Sequence, residues 1–576
     1  MNTSAEIKKL PRTFLPESFT VTTWEAAEPY FKNLLDRELR SKEDLAQWLK
    51  DSSELEAVFS EDACWRQIRM TCDTENKSLE EAFVFFVMQI QPQIQPYADK
   101  LNRKLIECPY TNELDQKRYF TYLRSVKKSI NLFREENIPL QSELSVMGQQ
   151  FGVISGKMTV EVDGKEYTLQ QAAKFLEDPD RKKRETVYRK INERRMLDKE
   201  SLDNLYTSLI QKRHQVALNA GFENYRDYKF KELGRFDYGK EDCYQFHESV
   251  KEQVLPLVNE IYEHKRKKLG LETLRPWDTE AEPAGILPLR PFTSGSELLE
   301  KTIRCFEELN PFFADCLRQM NVMNRFDLDS RKGKAPGGYN CPLAETGAPF
   351  IFMNAAGQMN DVTTMIHEGG HAVHSFLAHP LELSSFKEYP MEIAEVASMA
   401  MELFSMDYWE VFFDNAADLK RAKEHQLERV ITIFPWIATI DKFQHWIYEN
   451  PRHTILERTN QWMKLLSEFG AAAIDFSGLD HFRENSWLRQ LHLFEVPFYY
   501  IEYGIAQLGA IGLWMKFKQN KDAALNHYMQ SLSMGGTRTL PELYECADIE
   551  FNFSPAYIMK LMQFVKRELR EILKEE

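Results

Sequence analysis

Cysteine is scarce in this sequence, and none of its eight cysteines lies in a spacing typical of a paired site. There is no Cys-x-x-Cys pair and no regular interval, which excludes a disulfide framework and a cysteine-rich zinc module. Long apolar runs are also missing, since no segment approaches the roughly 18–20 residues that a membrane span needs. The N-terminus lacks the apolar core of a signal peptide. We therefore predict a cytoplasmic protein with reduced thiols and no membrane partner.

Turn residues and basic residues are scarce as well. Glycine and proline number only 24 each among 576 residues, whereas barrels and sandwiches with many turns usually contain more. With 43% hydrophobic and 28% charged residues, the composition is typical of a folded and mostly helical protein. Lysine and arginine total 73 against 88 acidic residues, a net charge of −15. Because phosphate contacts need clustered basic side chains, we expect no nucleic-acid partner.

The first quarter of the chain has the hydrophobic pattern of successive amphipathic helices. Apolar residues recur at helical spacing from 21 to 146, for example at Trp24, Phe31 and Leu34. We predict an N-terminal helical lobe over 1–157.

The rest of the chain is predicted to form a second lobe, over 158–576. It begins with a segment that alternates apolar and polar residues around Asp163-Gly164, which predicts a β-hairpin at the junction of the lobes. Helical patterns dominate afterwards, but a short apolar run at 349–353 that begins with proline predicts a strand.

The most informative motif is His367-Glu368-Gly369-Gly370-His371, an H-E-x-x-H sequence. Two histidines four residues apart on a helix can bind one tetrahedral zinc ion, and the intervening glutamate can act as general base. A surface helix that happens to carry two histidines is the alternative. Apolar flanks at helical spacing favour a buried helix. Two glycines cost a helix up to about 1 kcal/mol each relative to alanine, which indicates close approach of another backbone or of a substrate.

A catalytic zinc ion needs a third protein ligand and an open coordination position. An apolar helix is predicted to begin after Pro390, and it contains Glu392, Glu395 and Glu402. Buried unpaired carboxylates are costly, so we expect one of them to bind the metal. The small neighbours of Glu395 favour it, Glu392 is the competing ligand, and Glu402 could orient a ligating imidazole.

At this point the sequence resembles the thimet-oligopeptidase-like metallopeptidases. The H-E-x-x-H motif followed by Glu395 in Ala-Glu-Val-Ala-Ser matches their pattern, and stretches at 12–16, 224–238 and 333–339 resemble the oligoendopeptidase F branch. The resemblance implies a mainly α, two-lobed, zincin-like fold with a deep central channel and a small β-sheet near the zinc helix. It implies one Zn²⁺ per chain with Glu395 as the third ligand. Relatives often carry a larger apolar residue where this chain has Gly369.

The resemblance also implies that a late helix faces the zinc ion. His492 and Tyr503 are then the candidate donors to the oxyanion of the transition state, and Tyr499 or Tyr500 contacts substrate. Without the resemblance, this aromatic stripe is more typical of a packed core helix than of a catalytic site.

Residues Gly337, Gly338 and Tyr339 precede the predicted strand and are candidates for binding substrate. An edge strand there could bind a peptide through main-chain hydrogen bonds, although a structural glycine turn fits the same pattern. His374, one turn beyond His371, could contact substrate, support a metal ligand or simply pack. The remaining histidines, such as His445, show no ligand spacing.

Together these features predict a zinc-dependent endopeptidase that hydrolyses internal bonds of short unfolded oligopeptides, with Glu368 as general base. One alternative is a related zinc carboxypeptidase or dipeptidase. The other is a non-catalytic peptide-binding protein with a structural zinc ion, although structural zinc usually takes four Cys or His ligands. The sequence does not indicate the oligomeric state.

Overall fold

The chain is built almost entirely from α-helices in a computed structural model that describes residues 7, 9 and 11–574. The predicted mainly helical fold is therefore confirmed. The helices in the first part of the chain are α1 Trp24–Asp36, α2 Lys42–Cys72, α3 Lys77–Phe85, α4 Gln91–Glu107, α5 Gln116–Leu132 and α6 Asn137–Gly156. Those that follow are α7 Leu169–Ala173, α8 Arg181–Leu197, α9 Lys199–Asn219, α10 Tyr225–Glu232, α11 Lys240–Ser249, α12 Leu255–Lys268, α13 Gly295–Leu309, α14 Pro311–Val322, α15 Met359–Ala378, α16 Met391–Ser405, α17 Ala416–Glu449, α18 Ile455–Phe469, α19 Asp480–Arg483, α20 Leu491–Glu495, α21 Tyr500–Gln519, α22 Lys521–Ser533, α23 Leu540–Cys546 and α24 Pro555–Lys574. Within the described residues, no helix has the length and apolar character needed to cross a membrane.

Helices α1, α2, α4 and α5 enclose a hydrophobic core of their own, around residues such as Leu34 and Trp48. Phe386, from the second half of the chain, joins this core. Helix α6 packs instead on the larger core of the second half, where Phe151 stacks on Phe494 with ring centroids 4.6 Å apart. The lobe boundary that we place before residue 158 stays a prediction.

The predicted hairpin is confirmed. Strands β1 Thr159–Val162 and β2 Lys165–Thr168 pair antiparallel, with Val162 opposite Lys165. Asp163 and Gly164 connect them with φ of 52° and 75°. Two consecutive left-handed residues form the turn whose twist matches that of the flanking strands.

A three-stranded sheet precedes the helix that carries the H-E-x-x-H motif. Its strands are β3 Phe326–Asp329, β4 Tyr339–Cys341 and β5 Phe350–Ala355, in the order β3-β5-β4. The central strand β5 is the one predicted after Pro349, and it is almost wholly buried. Strand β5 runs parallel to β3 and antiparallel to β4. Because β4 pairs with β5 on one side only, it lies at an edge of the sheet.

Helix α15 follows β5 directly and packs tightly on α16. A Cβ atom built on Gly370 would lie 2.6 Å from Ser398 Cα, and one on Gly369 would lie 2.9 Å from the Phe306 ring. Both distances are below van der Waals contact, so the two glycines allow the close approach that the motif predicts. Helix α21 packs on the opposite side of α16, where Gly509 meets Val396.

Candidate metal centre and active site

Two histidines and a glutamate converge where α15 packs on α16. His367 and His371 lie one turn apart on α15, with ring centroids 4.9 Å apart and ring planes at 85°. Glu395 of α16 extends toward both rings, and its Oε2 lies 3.2 Å from His367 Nε2 and 3.7 Å from His371 Nε2. Ligand atoms of all three residues lie within 4.8 Å of one another. The fold thus brings together the three residues that the sequence analysis proposes as metal ligands.

Glu402 fixes the orientation of the His367 ring. Its Oε1 lies 2.8 Å from His367 Nδ1, and its Oε2 accepts a hydrogen bond of 2.8 Å from Gln426 Nε2. When Nδ1 donates to Glu402, the lone pair of Nε2 points toward Glu395 Oε2. Two acceptor atoms that face each other at 3.2 Å repel unless a proton or a metal ion lies between them. The spacing of Glu402 suggested this role, whereas nothing in the sequence pointed to Gln426.

The charge states of the three residues suit a metal ion. Burial lowers the pKa of His371 to about 4, which leaves a neutral ring with a lone pair. Burial opposes ionisation of Glu395, but the neighbouring His371 and His367 lower its pKa to about 2. Burial also disfavours a charge on His367, but its bonds to Glu395 and Glu402 raise its pKa well above normal, so without metal a proton lies between His367 and Glu395 and a metal ion would replace it. Neutral imidazole and ionised carboxylate are the forms that bind metals, and the residues therefore fit a divalent ion.

Glu368 follows His367 on α15 and has a free carboxylate oxygen beside this centre. Its side chain is buried, and Oε2 has no hydrogen-bond partner among the residues that the structure describes. Burial, with the charges of Glu395 and Glu402, raises its pKa to about 7. Such a carboxylate can accept a proton from a group that enters the site.

The edge strand β4 lies beside Glu368. A Cβ atom built on Gly338 would lie 3.8 Å from Glu368 Oε1 and 3.3 Å from the Phe352 carbonyl oxygen, so a side chain there would crowd the site. Gly337 has φ of 97°, a conformation that favours glycine. Tyr339 stacks on Phe352 at 4.8 Å, and its hydroxyl pairs with Thr71, so its side chain is committed to packing. The backbone of β4 is what remains for binding a peptide.

His492 and Tyr503 form a chain of hydrogen bonds with two residues that the sequence analysis missed. Trp436 Nε1 donates to Gln490 Oε1 over 3.0 Å, which turns Gln490 Nε2 toward His492 Nδ1 at 2.7 Å. His492 therefore carries its proton on Nε2, which lies 3.3 Å from the Tyr503 oxygen. Burial lowers the pKa of His492 to about 4, so the ring is neutral. The Tyr503 hydroxyl accepts from His492 and keeps its own proton for another acceptor.

Tyr499 reaches the metal centre directly. Its hydroxyl donates to Glu395 Oε1 over 2.5 Å, a contact that no sequence motif indicated. The preceding Phe498 has φ of 66°, and its N–H donates to Gln444 Oε1 over 2.7 Å. This left-handed residue turns the chain into α21. Tyr500 lies beside His492, with ring centroids 4.8 Å apart. Substrate contacts by Tyr499 and Tyr500 stay predictions.

Two other candidates lie apart from the three converging ligands. Glu392 accepts a 2.5 Å hydrogen bond from Tyr238 and is not among the ligand atoms that converge on one point. His374 is buried and stacks on Tyr389, with ring centroids 3.5 Å apart. The packing alternative therefore describes His374.

Comparisons with known proteins place the chain among peptidases. The sequence model described as Peptidase family M3 matches residues 174–563, and that of the Peptidase M3 N-terminal domain matches residues 14–133. The chain is 25% identical to the Oligoendopeptidase F homolog of Borreliella burgdorferi over 71% of this chain and 67% of that protein. It is 22% identical to Oligopeptidase PepF of Bacillus subtilis over 66% of this chain and 58% of that protein. A solved structure of PZ peptidase A with an inhibitor matches with a TM-score of 0.92 at 25% identity, covering 97% of this chain and 99% of that one.

Proposed function

This chain belongs to peptidase family M3 and is a metalloendopeptidase, and we propose that it cleaves short unfolded peptides with one catalytic zinc ion per chain. His367, His371 and Glu395 would hold the ion. Peptides are the substrates that the family implies. The cytoplasmic location, and the expectation that neither nucleic acid nor membrane is a partner, stay predictions.

One observation carries the choice of ligands. His367 Nε2 and His371 Nε2 lie 3.2 Å and 3.7 Å from the same Glu395 oxygen, so that one metal ion could replace the proton between them and contact all three residues. Two imidazoles and one carboxylate are a donor set typical of catalytic zinc. Structural zinc usually has four Cys or His ligands, which argues against a purely structural ion.

When bound, zinc would acidify a water molecule and polarise the scissile carbonyl. Glu368 would take the proton of the attacking water through its unpaired Oε2, and would pass that proton to the leaving amine. Glu368 lies on α15 together with two of the ligands, so this helix fixes the position of the base relative to the metal site.

Tyr503 and His492 would stabilise the negative charge that develops on the carbonyl oxygen. The hydrogen-bond chain from Trp436 leaves the Tyr503 proton free to donate, and neutral His492 holds the phenol in place. A donor that is already oriented needs no reorganisation when the charge appears.

The β4 edge would bind the substrate backbone. Its residues pair with β5 on one side only, and the glycine at 338 keeps the space beside Glu368 open. Main-chain hydrogen bonds to an edge strand select an extended peptide rather than a particular side chain. An unfolded oligopeptide fits this requirement, whereas a folded protein does not.

The competing activity is that of a carboxypeptidase or dipeptidase, which needs a free substrate terminus. An internally quenched peptide blocked at both ends distinguishes the two. We expect cleavage of the blocked peptide and loss of that activity with a chelator. Cleavage of only the unblocked version would contradict endopeptidase activity.

The Glu368→Gln variant tests the general base. Glutamine keeps the size of the side chain but cannot take a proton, so we expect kcat to fall by about 10²–10⁴-fold. Zinc content, measured by mass spectrometry of the purified protein, should not change. Full activity in this variant would exclude Glu368 as the base, whereas loss of zinc would leave the activity result unrelated to proton transfer.

A further inference from the structure

A second group of side chains suited to metal binding lies between α11 and α17. Cys243 and His247 are four residues apart on α11, and Asp441 and His445 are four residues apart on α17. Ligand atoms of Cys243, Asp441 and His445 lie within 4.8 Å of one another, as they do in the catalytic set. Each of the four side chains is at most 2% exposed.

Asp441 lies at the centre of this group. Its Oδ2 is 2.8 Å from His247 Nε2 and 3.2 Å from His445 Nε2, and only the first contact has hydrogen-bond geometry. The carboxylate has no exposed surface. Its hydrogen bonds and ion pairs within the described chain involve these two histidines and no lysine or arginine.

Several polar atoms in this group have no partner. Both ring nitrogens of His445, Nδ1 of His247 and Oδ1 of Asp441 make no hydrogen bond to any part of the chain that the structure describes. Unpaired polar atoms are rare in protein interiors because each gives up its hydrogen bonds to water. Several such atoms in one buried group indicate that a ligand binds there.

We propose that Cys243, Asp441 and His445 bind a second, non-catalytic zinc ion, with three protein ligands instead of the four Cys or His ligands usual in structural sites. Thiolate, imidazole and carboxylate together are ligands that zinc accepts, and the two anionic ligands would balance its charge. His247 holds the Asp441 carboxylate by its hydrogen bond and so orients that ligand. Complete burial leaves no route for a substrate, which separates this site from the catalytic centre.

A histidine–aspartate network without metal explains less of the geometry. Such a network would account for His247 and Asp441, which are hydrogen-bonded. It would not explain why the 3.2 Å contact of His445 Nε2 with Asp441 lacks hydrogen-bond geometry, why His445 Nδ1 has no partner in the described chain, or why a cysteine completes the group. His445 shows no ligand spacing in the sequence because each helix pairs a histidine with a different residue type. The two pairs meet only in the fold.

This second site adjoins the turn that positions Tyr499. The Phe498 ring packs against His445 at 5.5 Å between centroids, and Gln444, the residue before His445, accepts the Phe498 N–H. A metal ion that joins α11 to α17 would therefore restrict the movement of the turn that positions Tyr499.

Cobalt substitution distinguishes the two sites, because only the second has a sulfur ligand. The full-length protein is produced with cobalt(II) in place of zinc, and near-ultraviolet absorption reports any thiolate-to-cobalt charge transfer. We expect this band in the wild type and in the His367→Ala/His371→Ala variant, which lacks the catalytic ligands. It should disappear in Cys243→Ser and persist in Cys316→Ser, a control at another buried cysteine.

Metal content gives an independent measurement on the zinc protein. Mass spectrometry should find two zinc ions per chain in the wild type and one in each of the two site variants. A single zinc ion in the wild type, with no cobalt band in the double-histidine variant, would overturn the proposal without affecting the catalytic site. If Cys243→Ser does not fold, the band in the double-histidine variant still decides the outcome.

Discussion

Tyr503 shows how single residues outside any motif prepare a catalytic group. Its hydroxyl accepts from His492, whose tautomer is set by Gln490, and Trp436 in turn fixes the Gln490 amide. Removing the phenol oxygen should remove a transition-state donor while the ring still packs. We expect Tyr503→Phe to lower kcat by about 10²–10³-fold with little change in KM. Steady-state kinetics on the blocked peptide would measure this.

Tyr500→Phe is the matched control for that substitution. Tyr500 packs on the same histidine, with ring centroids 4.8 Å apart, and its hydroxyl contacts Trp436 and Gln490 but is not bonded to His492. We expect a change of only a few fold in kcat. Equal losses in the two variants would indicate that the aromatic cluster matters for packing and that Tyr503 has no special role as a donor.

At the scale of elements, the catalytic geometry depends on how closely α15 and α16 approach. A methyl group on Gly370 would meet Ser398 Cα at 2.6 Å and the Ala397 carbonyl oxygen at 2.8 Å, and backbone atoms cannot move aside as a side chain can. Overpacking of this kind costs about 1–3 kcal/mol, and the gain in helix propensity offsets up to about 1 kcal/mol. We expect Gly370→Ala to lower the free energy of unfolding and to weaken zinc binding, because Glu395 moves away from α15. Denaturant titration and competition with a zinc indicator would measure the two effects.

Gly369→Ala is the natural comparison, because replacing this glycine by alanine on the same turn gives the same gain in helix propensity as Gly370→Ala. Its new methyl group would meet the outer edge of the Phe306 ring at 2.9 Å, and a ring edge can shift. The change in stability should stay within about 1 kcal/mol, since propensity and crowding oppose each other. If this variant lost more zinc affinity than Gly370→Ala, the contact between α15 and α16 would not be what positions the ligands.

At the scale of the whole molecule, a buried carboxylate joins distant parts of the chain. Asp278 has no exposed surface and accepts hydrogen bonds from Arg181 and Arg184 on α8. Burial raises its pKa, but the two arginines outweigh this effect and hold the pKa below its usual value. The ionised group therefore stabilises the fold above its unfolded pKa of about 3.9, and this contribution disappears as the pH falls through the lower folded value.

The Asp278→Asn variant should reveal this contribution. At neutral pH it leaves two arginines beside a neutral amide, and we expect a loss of about 3–5 kcal/mol in unfolding free energy. The difference from the wild type should shrink as the pH falls below about 4, because the unfolded chain then binds a proton at Asp278, and the shrinkage should be complete only below the lower folded pKa. Denaturant midpoints between pH 7 and pH 2 would test this. The exposed Asp522→Asn change is the control, and an equal loss there would exclude a specific role for Asp278.

The fold class and the catalytic helix could be predicted from sequence because their signals are local. Helical periodicity, the Asp163-Gly164 turn and the H-E-x-x-H spacing all depend on residues within a few turns of one another. These patterns predicted a helical metallopeptidase with His367, Glu368 and His371 on one helix. The small neighbours of Glu395 favoured it as the third ligand but left Glu392 open, and the resemblance then supported Glu395.

Tertiary structure decided which distant residues complete each site. Gln426 bonds to Glu402, Tyr499 to Glu395 and Trp436 to Gln490, and the paired residues are 24, 104 and 54 positions apart in the chain. The second group of ligands likewise exists only where α11 meets α17. A hydrogen bond between distant segments leaves no periodic trace, because the donor is fixed by how the helices pack and not by any spacing along the sequence. The sequence by itself therefore determined the helices and the catalytic motif, whereas packing determined the ligand geometry, the proton positions and the groups that hold the tyrosines.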